Sequence, residues 1–502
     1  MPDASTIPTS TTPASDCAPA FKPTWWSLPL RNAIPLLIGI AIAFVMNELI
    51  APSLGGFASL LAFAGINIIL AVSLNIVNGY AGQFSIGHAG FMSLGGYVGA
   101  AVVYYGTYKL FGDPSFGLHG GWLSYDGPAG RGPELPLDTG DLLFIGGCLA
   151  GGVVAAAAGW IVGLPSLRLR GDYLAIVTLG FGEIVRVIIQ GTDPQIGPYS
   201  LSDADVAKLN DTSLPALMGN LGGAKSLSGL PTYATPFWIF VWVGITLIVA
   251  IRLKYSGYGR ALLSIREDEV AARSIGVNVT TYNVRAFTLS AFFAGVGGVL
   301  FALNIGQIKA SDLAFQRSFE IVIMVVLGGL GSVSGAVLAA ILLTILPEFL
   351  RQPPGLFPWG ILVAAAFAVL IGLRAQKKRK GIIMLASACL FYEGIRRGAP
   401  LIGVELSQFR MIFYALTLIS LMILRPQGLF GVHEVWDVWP LKNLRWTSGP
   451  LRGLPFLRHL WLILTTGRRD VPASPPAIVG AGEPATAPSL DSIEHATPGD
   501  LE

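Results

Sequence analysis

Apolar runs long enough to cross a lipid bilayer recur along the chain, separated by short stretches that hold most of the charge. They fall near residues 33–51, 57–77, 84–106, 142–164, 173–190, 236–253, 286–305, 318–350, 359–373, 382–395 and 410–424. At a rise of about 1.5 Å per residue, some 20 apolar residues span a hydrocarbon core of ~30 Å. Between Leu49 and Tyr108 there is no Asp, Glu, Lys or Arg, which is enough for two crossings. The run 318–350 would measure about 50 Å as one straight helix, too long for one crossing. Gly328, Gly329 and Gly331 interrupt it, so two pieces meeting at a Gly-rich break are expected. A second interval, Asn78 to Gly96, contains Gly79, Gly82, Gly87, Gly90, Gly95 and Gly96 and predicts another broken helix. Strand-period alternation is missing, which argues against a barrel. The expected fold is all-α, a polytopic membrane helix bundle with broken helices and about ten transmembrane segments.

Charge sets the expected topology, because loops rich in Lys and Arg resist translocation. Arg168 with Arg170, the stretch Arg252 to Arg285, the stretch Arg374 to Lys380, and Arg425 mark four cytoplasmic loops. The loops 109–141 and 191–235 are acidic, with nine Asp or Glu including Asp138, Asp141 and Asp193 against Lys109, Arg131, Lys208 and Lys225, and should face outward. This pattern requires a cytoplasmic N-terminus and holds through residue 305; Arg396 and Arg397 later fall outside, against the rule. Residues 1–32 are rich in Ser, Thr and Pro, and Asp3 and Asp16 precede Lys22 and Arg31. That is the wrong charge order for a cleaved signal peptide, so a disordered cytoplasmic arm before an uncleaved helix is expected. The transmembrane domain should cover 33–431, with 351–409 an insertion carrying extra helices. In 432–464, Trp436, Trp439, Trp446 and Trp461 interleave with Lys442, Arg445, Arg452 and Arg458, as suits either a headgroup layer or an irregular tail. Pro and Ala dominate 465–502, which reads as disordered.

Composition agrees. Charged residues make up 13% and mean hydropathy is +0.62, whereas a soluble domain carries about 25% charged residues. A net charge of +3, spread between apolar runs, gives no basis for nucleic-acid binding. Cys17, Cys148 and Cys389 are too few and scattered for a disulfide framework or metal site, and no cofactor is expected. Gly219 to Ser226 resembles a phosphate-binding loop at first sight, but Ala224 stands where Gly must precede the Lys, and the flanks are an outward loop. ATP binding by this chain is therefore rejected.

Between two apolar runs, Gly259 to Gly276 predicts one short charged helix. Ala261, Ile265, Ala272 and Ile275 would share a narrow face, with Arg266, Glu267, Glu269 and Arg273 around the rest and Gly276 as a left-handed cap. Such a helix either docks on a soluble partner or is an ordinary solvated loop helix.

Glu269 to Gly276 resembles the Glu-Ala-Ala-x-x-x-Gly loop with which permeases of bacterial ATP-binding-cassette importers engage their ATPases, departing from it at Val270. Gly257 to Arg260, Ser264 to Asp268, Ala286-Phe287, Asn78 to Phe91, Arg170 to Leu179, Leu327 to Ser332 and Arg425 to Gly431 are similar to the branched-chain amino-acid permease family, of the LivM type. The resemblance covers roughly 57–350 and 410–431, in the family's order. It implies a multi-pass protein of the bacterial inner membrane, working with two ATPase subunits, a second homologous permease and an extracellular or periplasmic solute-binding protein. It also implies ATPase coupling through Arg260, Arg266, Glu267, Asp268, Glu269, Ala271, Ala272 and Gly276. The implied substrates are Leu, Ile or Val, while close relatives import urea, amides and small carboxylates.

Candidates for the translocation path are Asn78, Gln83, Ser85 and His88 at the first break, with Thr178 and Glu183 on a neighbouring run. Broken helices expose backbone groups to whatever passes, although tight packing by small residues explains the glycines equally. Glu183 with Arg186, and Arg317 with Glu320, are spaced to pair on their own helices. A rival reading is an ion-coupled secondary carrier using Glu183 or His88, which leaves the charged helix at 260–276 without a purpose. A membrane enzyme lacks the clustered His, Cys and carboxylates its chemistry needs.

Overall fold

The computed structural model describes residues 28–50, 58–111, 138–166, 172–196, 212–313 and 315–351. They form a helix bundle. Helix α1 (Leu28–Val45) runs into a π turn, Met46–Ile50, and α2 (Ala58–Asn75) into another, Ile76–Tyr80. There follow α3 (His88–Phe111), α4 (Thr139–Ser166), α5 (Asp172–Gln190), a single turn α6 (Leu214–Leu217) and α7 (Pro236–Tyr255). Two short helices, α8 (Gly257–Glu267) and α9 (Glu269–Ser274), precede α10 (Val279–Ile305), α11 (Phe315–Gly328) and α12 (Val333–Arg351). Among the described residues, five stretches are long and apolar enough to cross a membrane: Ala58–Tyr80, Thr139–Leu164, Tyr173–Gln190, Pro236–Tyr255 and Val279–Ile305. The chain is an all-α polytopic membrane protein. Calls for residues 1–27, the later segments 359–373, 382–395 and 410–424, the rest of the 351–409 insertion, and 432–502 lie outside the described residues.

At the centre α3, α4 and α10 cross through glycine. A methyl on Gly95 would collide with the Gly295 backbone and lie 2.9 Å from the Gly151 carbonyl oxygen, and one on Gly298 would strike the Met92 carbonyl. In lipid no hydrophobic force pushes helices together, so close backbone approach supplies van der Waals packing instead. Nearly all of α3 is buried by this means.

Helix α3 also carries a row of tyrosines toward one end of the bundle. The Tyr97, Tyr104 and Tyr105 hydroxyls donate to the carbonyls of Ile308 (3.2 Å), Ile196 (3.2 Å) and Asn220 (2.6 Å). The same end holds the antiparallel pair β1 (Leu227–Ser228) and β2 (Gln307–Ile308), with Gln195 bonded to both the amide and the carbonyl of Ser228. These bonds satisfy loop backbone that would otherwise be buried unpaired.

The long run expected over 318–350 is two helices, as its length required. Helix α11 ends at Gly328 and α12 starts at Val333, with Gly329 and Gly331 in the positive-φ region (108° and 90°) that side chains disfavour. Two expectations need correction. Helix α10 starts seven residues before the apolar run at 286, because Asn278 caps it by accepting from the Thr281 amide (3.2 Å). The helix expected over 260–276 is two helices. Asp268 is extended between them (φ −155°, ψ 113°), and its carboxylate accepts the Val270 and Ala271 amides at 2.8 and 3.0 Å. The kink swings Ile275 out to 74% exposure, while Ile265 and Ala272 stay buried with Val279.

Candidate functional site

The first helix break is built by α2 losing its regular pattern. Its last turn widens, so that the Ala81 amide bonds to Ile76 and the Gln83 amide to Val77. Gly82 then turns with φ +68°, and residues 82–87 run without helix to His88. Asn78 holds the loop shut, accepting the Ser85 amide at 3.2 Å and donating to the Ser85 carbonyl at 3.4 Å. Thr178 on α5 accepts the Ile86 amide at 3.2 Å, and its carbonyl occupies the space a Gly87 side chain would need. Asn78, Ser85 and Thr178 are thus buried and turned onto the break's own backbone. His88 is buried with Nε2 2.9 Å from the Ser73 hydroxyl, and the Ser73 carbonyl accepts from Ser290 at 2.7 Å, tying α3 to α2 and α10. Gln83 is half-buried, and its Oε1 has no hydrogen-bond partner among the described residues.

Beside this break, Gly87, Gly90, Glu183, Phe315 and Ser318 line a small cleft between α3, α5 and α11. Glu183 is paired with Arg186 at 2.7 Å, and Ser318 accepts the Ala89 amide at 3.0 Å, supporting the first turn of α3. Nearby, Arg317 pairs with Glu320 (2.6 Å) and donates to Asn67 (2.6 Å), which donates to Thr344 (2.7 Å). Both expected intrahelical ion pairs are present. On α5, Tyr173, Ile176, Ile184, Val187 and Ile188 form an exposed apolar stripe on which Gly180 has open space.

The second break folds onto the first. The Gly331 amide donates to Asn75 Oδ1 (2.9 Å), Asn75 Nδ2 donates to the Ser332 carbonyl (3.1 Å), and Lys254 Nζ donates to the Gly331 carbonyl (2.7 Å). A methyl on Gly79 would lie 2.5 Å from the Gly331 nitrogen. The two Gly-rich intervals are therefore one joint.

Helices α8 and α9 sit at this end, opposite the tyrosine-bonded loops. Ser256 caps α8 through the Gly259 amide (3.0 Å). Gly276, with φ +89°, ends α9: its amide bonds to Arg273 and that of Val277 to Ala272, the paired closure of a left-handed cap. Arg260, Glu267, Asp268, Val270, Ala271 and Ile275 face outward, Glu269 pairs with Arg273, and Ala272 is buried against α10. Tyr258 stacks on Tyr282 (4.5 Å) and donates to its carbonyl; burial pushes its hydroxyl up to about 12 despite the opposing pull of Arg285. Arg266 points the other way, into the joint, and donates to the Gly79 carbonyl at 2.8 Å.

Sequence reasoning missed Asn75, Lys254 and Ser318. Asn75 and Ser318 sit within or beside apolar runs, where a lone polar side chain hints at a bond but not at its partner. Lys254 looked like a topology marker.

The fold and its joint define a helical membrane protein with two broken helices meeting beside a pair of capped surface helices. Residues 56–354 match the sequence model of the family described as "Branched-chain amino acid transport system / permease component", and the chain belongs to that family. It is 34% identical over 326 residues to the high-affinity branched-chain amino acid transport system permease proteins LivM of Salmonella typhimurium and Escherichia coli, covering 63% of this chain and 67% of theirs. It is 27% identical over 213 residues to LivH of Escherichia coli, covering 42% of this chain and 65% of that one. No solved structure matches the chain.

Proposed function

We propose that this chain is the membrane-spanning permease subunit of an ATP-binding-cassette importer. It forms the path for branched-chain amino acids or related small solutes, and ATP is hydrolysed on two separate ATPase subunits. The observation that carries the reading is the α8–α9 pair. Two helices of eleven and six residues, capped by Ser256, Asp268 and Gly276, hold Val270 and Ile275 in the open at 70% and 74% exposure. Rigid exposed apolar side chains ringed by charge suit a groove on a soluble partner.

In this reading α8 and α9 lie in the cytosol, which puts the N-terminus there too, and an extracytoplasmic binding protein delivers solute at the opposite end. A second, homologous permease covers the apolar face of α5, so that the cleft beside Glu183 and Ser318 opens on the shared path. Asn78, Gln83, Ser85, His88 and Thr178 then shape the wall of that path by holding the break. Arg260, Glu267, Asp268, Glu269, Ala271, Ala272 and Gly276 form the handle. The binding protein chooses among Leu, Ile, Val and the smaller amides or carboxylates.

The bonds of His88 to Ser73 and of Glu183 to Arg186 favour this reading over an ion-coupled carrier, in which those groups must be free to take and release a cation.

The test is Glu269→Lys and Gly276→Pro, assayed for ATP-dependent leucine uptake in cells. Proline cannot adopt φ +89° and lacks the amide that bonds to Arg273. Uptake should be abolished with membrane insertion intact, and normal uptake in both variants removes the coupling role.

A further inference from the structure

We infer that Arg266 is the positioning residue that carries movement of the surface helices to both helix breaks, an inference that rests on α8 and α9 being the ATPase-docking handle. An arginine near the C-terminus of an exposed helix would ordinarily serve the partner. This one does not face outward, since its side chain is only 20% exposed while that of the adjacent Glu267 is 73% exposed.

Three glycines make the slot it occupies. Nη1 donates to the Gly79 carbonyl at 2.8 Å. A methyl on Gly82 would lie 2.5 Å from Arg266 Cγ, and one on Gly331 would lie 2.9 Å from Nη1. Gly79 and Gly82 belong to the first break and Gly331 to the second, so the guanidinium bonds to the first break and lies where only a glycine of the second leaves room for it. The Gly79 carbonyl comes free because the π turn passes the Gln83 amide to Val77 instead, and a cation is the strongest available donor for such an orphan oxygen.

The other face of the guanidinium is held by Glu267, whose Oε1 accepts Nε at 3.2 Å and Nη2 at 2.8 Å. Arg266 therefore bridges an exposed carboxylate that a docked partner can reach and a buried carbonyl that it cannot. Lys254, on the last turn of α7, grips the Gly331 carbonyl from the same end, so the second break is bonded by Lys254 and flanked by Arg266. Two packed elements joined by one charged hydrogen bond have discrete arrangements. A shift of α8 by an ångström or two stretches the 2.8 Å bond beyond hydrogen-bonding range, and the joint must repack.

The experiment uses the complete importer purified with its ATPases and reconstituted with binding protein, comparing wild type, Arg266→Gln, Arg266→Lys and Glu267→Gln. Three quantities are read: ATPase subunits recovered per permease, ATP hydrolysed, and leucine transported. For Arg266→Gln we expect full recovery of ATPase, continued hydrolysis, and at least a tenfold fall in leucine moved per ATP. Arg266→Lys, which keeps one cationic donor for the Gly79 oxygen, should recover part of that ratio. Glu267→Gln, at an exposed position that leaves the core untouched, should lower the ratio two- to fivefold and keeps the test open if Arg266→Gln does not fold. Loss of ATPase subunits from a folded Arg266→Gln complex would make Arg266 a docking residue and overturn the inference. An unchanged ratio in both Arg266→Gln and Glu267→Gln overturns it as well. If the wild-type chain recovers no ATPase, it is the importer reading itself that fails.

Discussion

Asn75 and Gly331, 256 residues apart, are joined by a 2.9 Å hydrogen bond from the Gly331 amide to the Asn75 side-chain oxygen. The Asn75 side-chain nitrogen donates to the Ser332 carbonyl at 3.1 Å, so one buried side chain bonds to the backbone of the second break from the last turn of α2. In Asn75→Ala the Gly331 amide loses its partner in a place water does not reach, while the Ser332 carbonyl keeps the Ala336 amide at 3.2 Å. An unpaired buried group costs about 1–3 kcal/mol, so the variant should be less stable by about that much, read as a drop in the thermal midpoint of the purified protein in detergent. An unshifted midpoint would show that the two breaks are not mechanically joined.

The glycine contact between α3 and α10 gives a matched pair of substitutions. Gly298→Ala drives a methyl into the Met92 carbonyl, whereas Gly146→Ala on α4 meets nothing within 4 Å. The first should cost at least about 1–3 kcal/mol through overpacking and sharply reduce the yield of folded protein. The second should be neutral or stabilising by up to about 1 kcal/mol, since alanine is the better helix former. Size-exclusion profiles and melting curves of the two variants check both.

Much of this architecture was legible in the amino-acid order, for physical reasons that also mark where legibility stopped. Span length and the absence of charge located α2, α4, α5 and α7 closely, and the excess length of the run 318–350 with Gly328, Gly329 and Gly331 located the second break. The kink at Asp268 was hidden because an aspartate in a charged helix reads as a surface residue, and only its extended backbone makes it a cap. Arg266 was read with the handle from its position in the motif. Its inward turn depends on the absence of side chains at Gly79, Gly82 and Gly331, which come from two remote segments. No local pattern could bring those together.

The Asp268 cap has a direct consequence. Losing an aspartate cap costs about 1 kcal/mol, enough to fray a helix of six residues. Asp268→Ala should make the segment 268–276 more sensitive to limited proteolysis and lower leucine uptake, with the spans intact, while Asp268→Ser, which also caps, should restore most of both. Equal protease sensitivity in all three proteins would count against a rigid handle.

The exposed face of α5 tests the placement of the second permease. Gly180→Trp puts a large ring into open space on that face. If the face seats another subunit, the variant should insert normally but no longer co-purify with the second permease, and uptake should be lost. Undiminished co-purification and uptake would assign the face to lipid.

The most direct measurement is leucine accumulation in liposomes containing the purified chain alone, compared with liposomes holding it together with its co-expressed ATPases, second permease and binding protein. Uptake is predicted only in the complete assembly and only with ATP. Accumulation by the lone chain on an ion gradient, or nucleotide hydrolysis by the lone chain, would contradict the account.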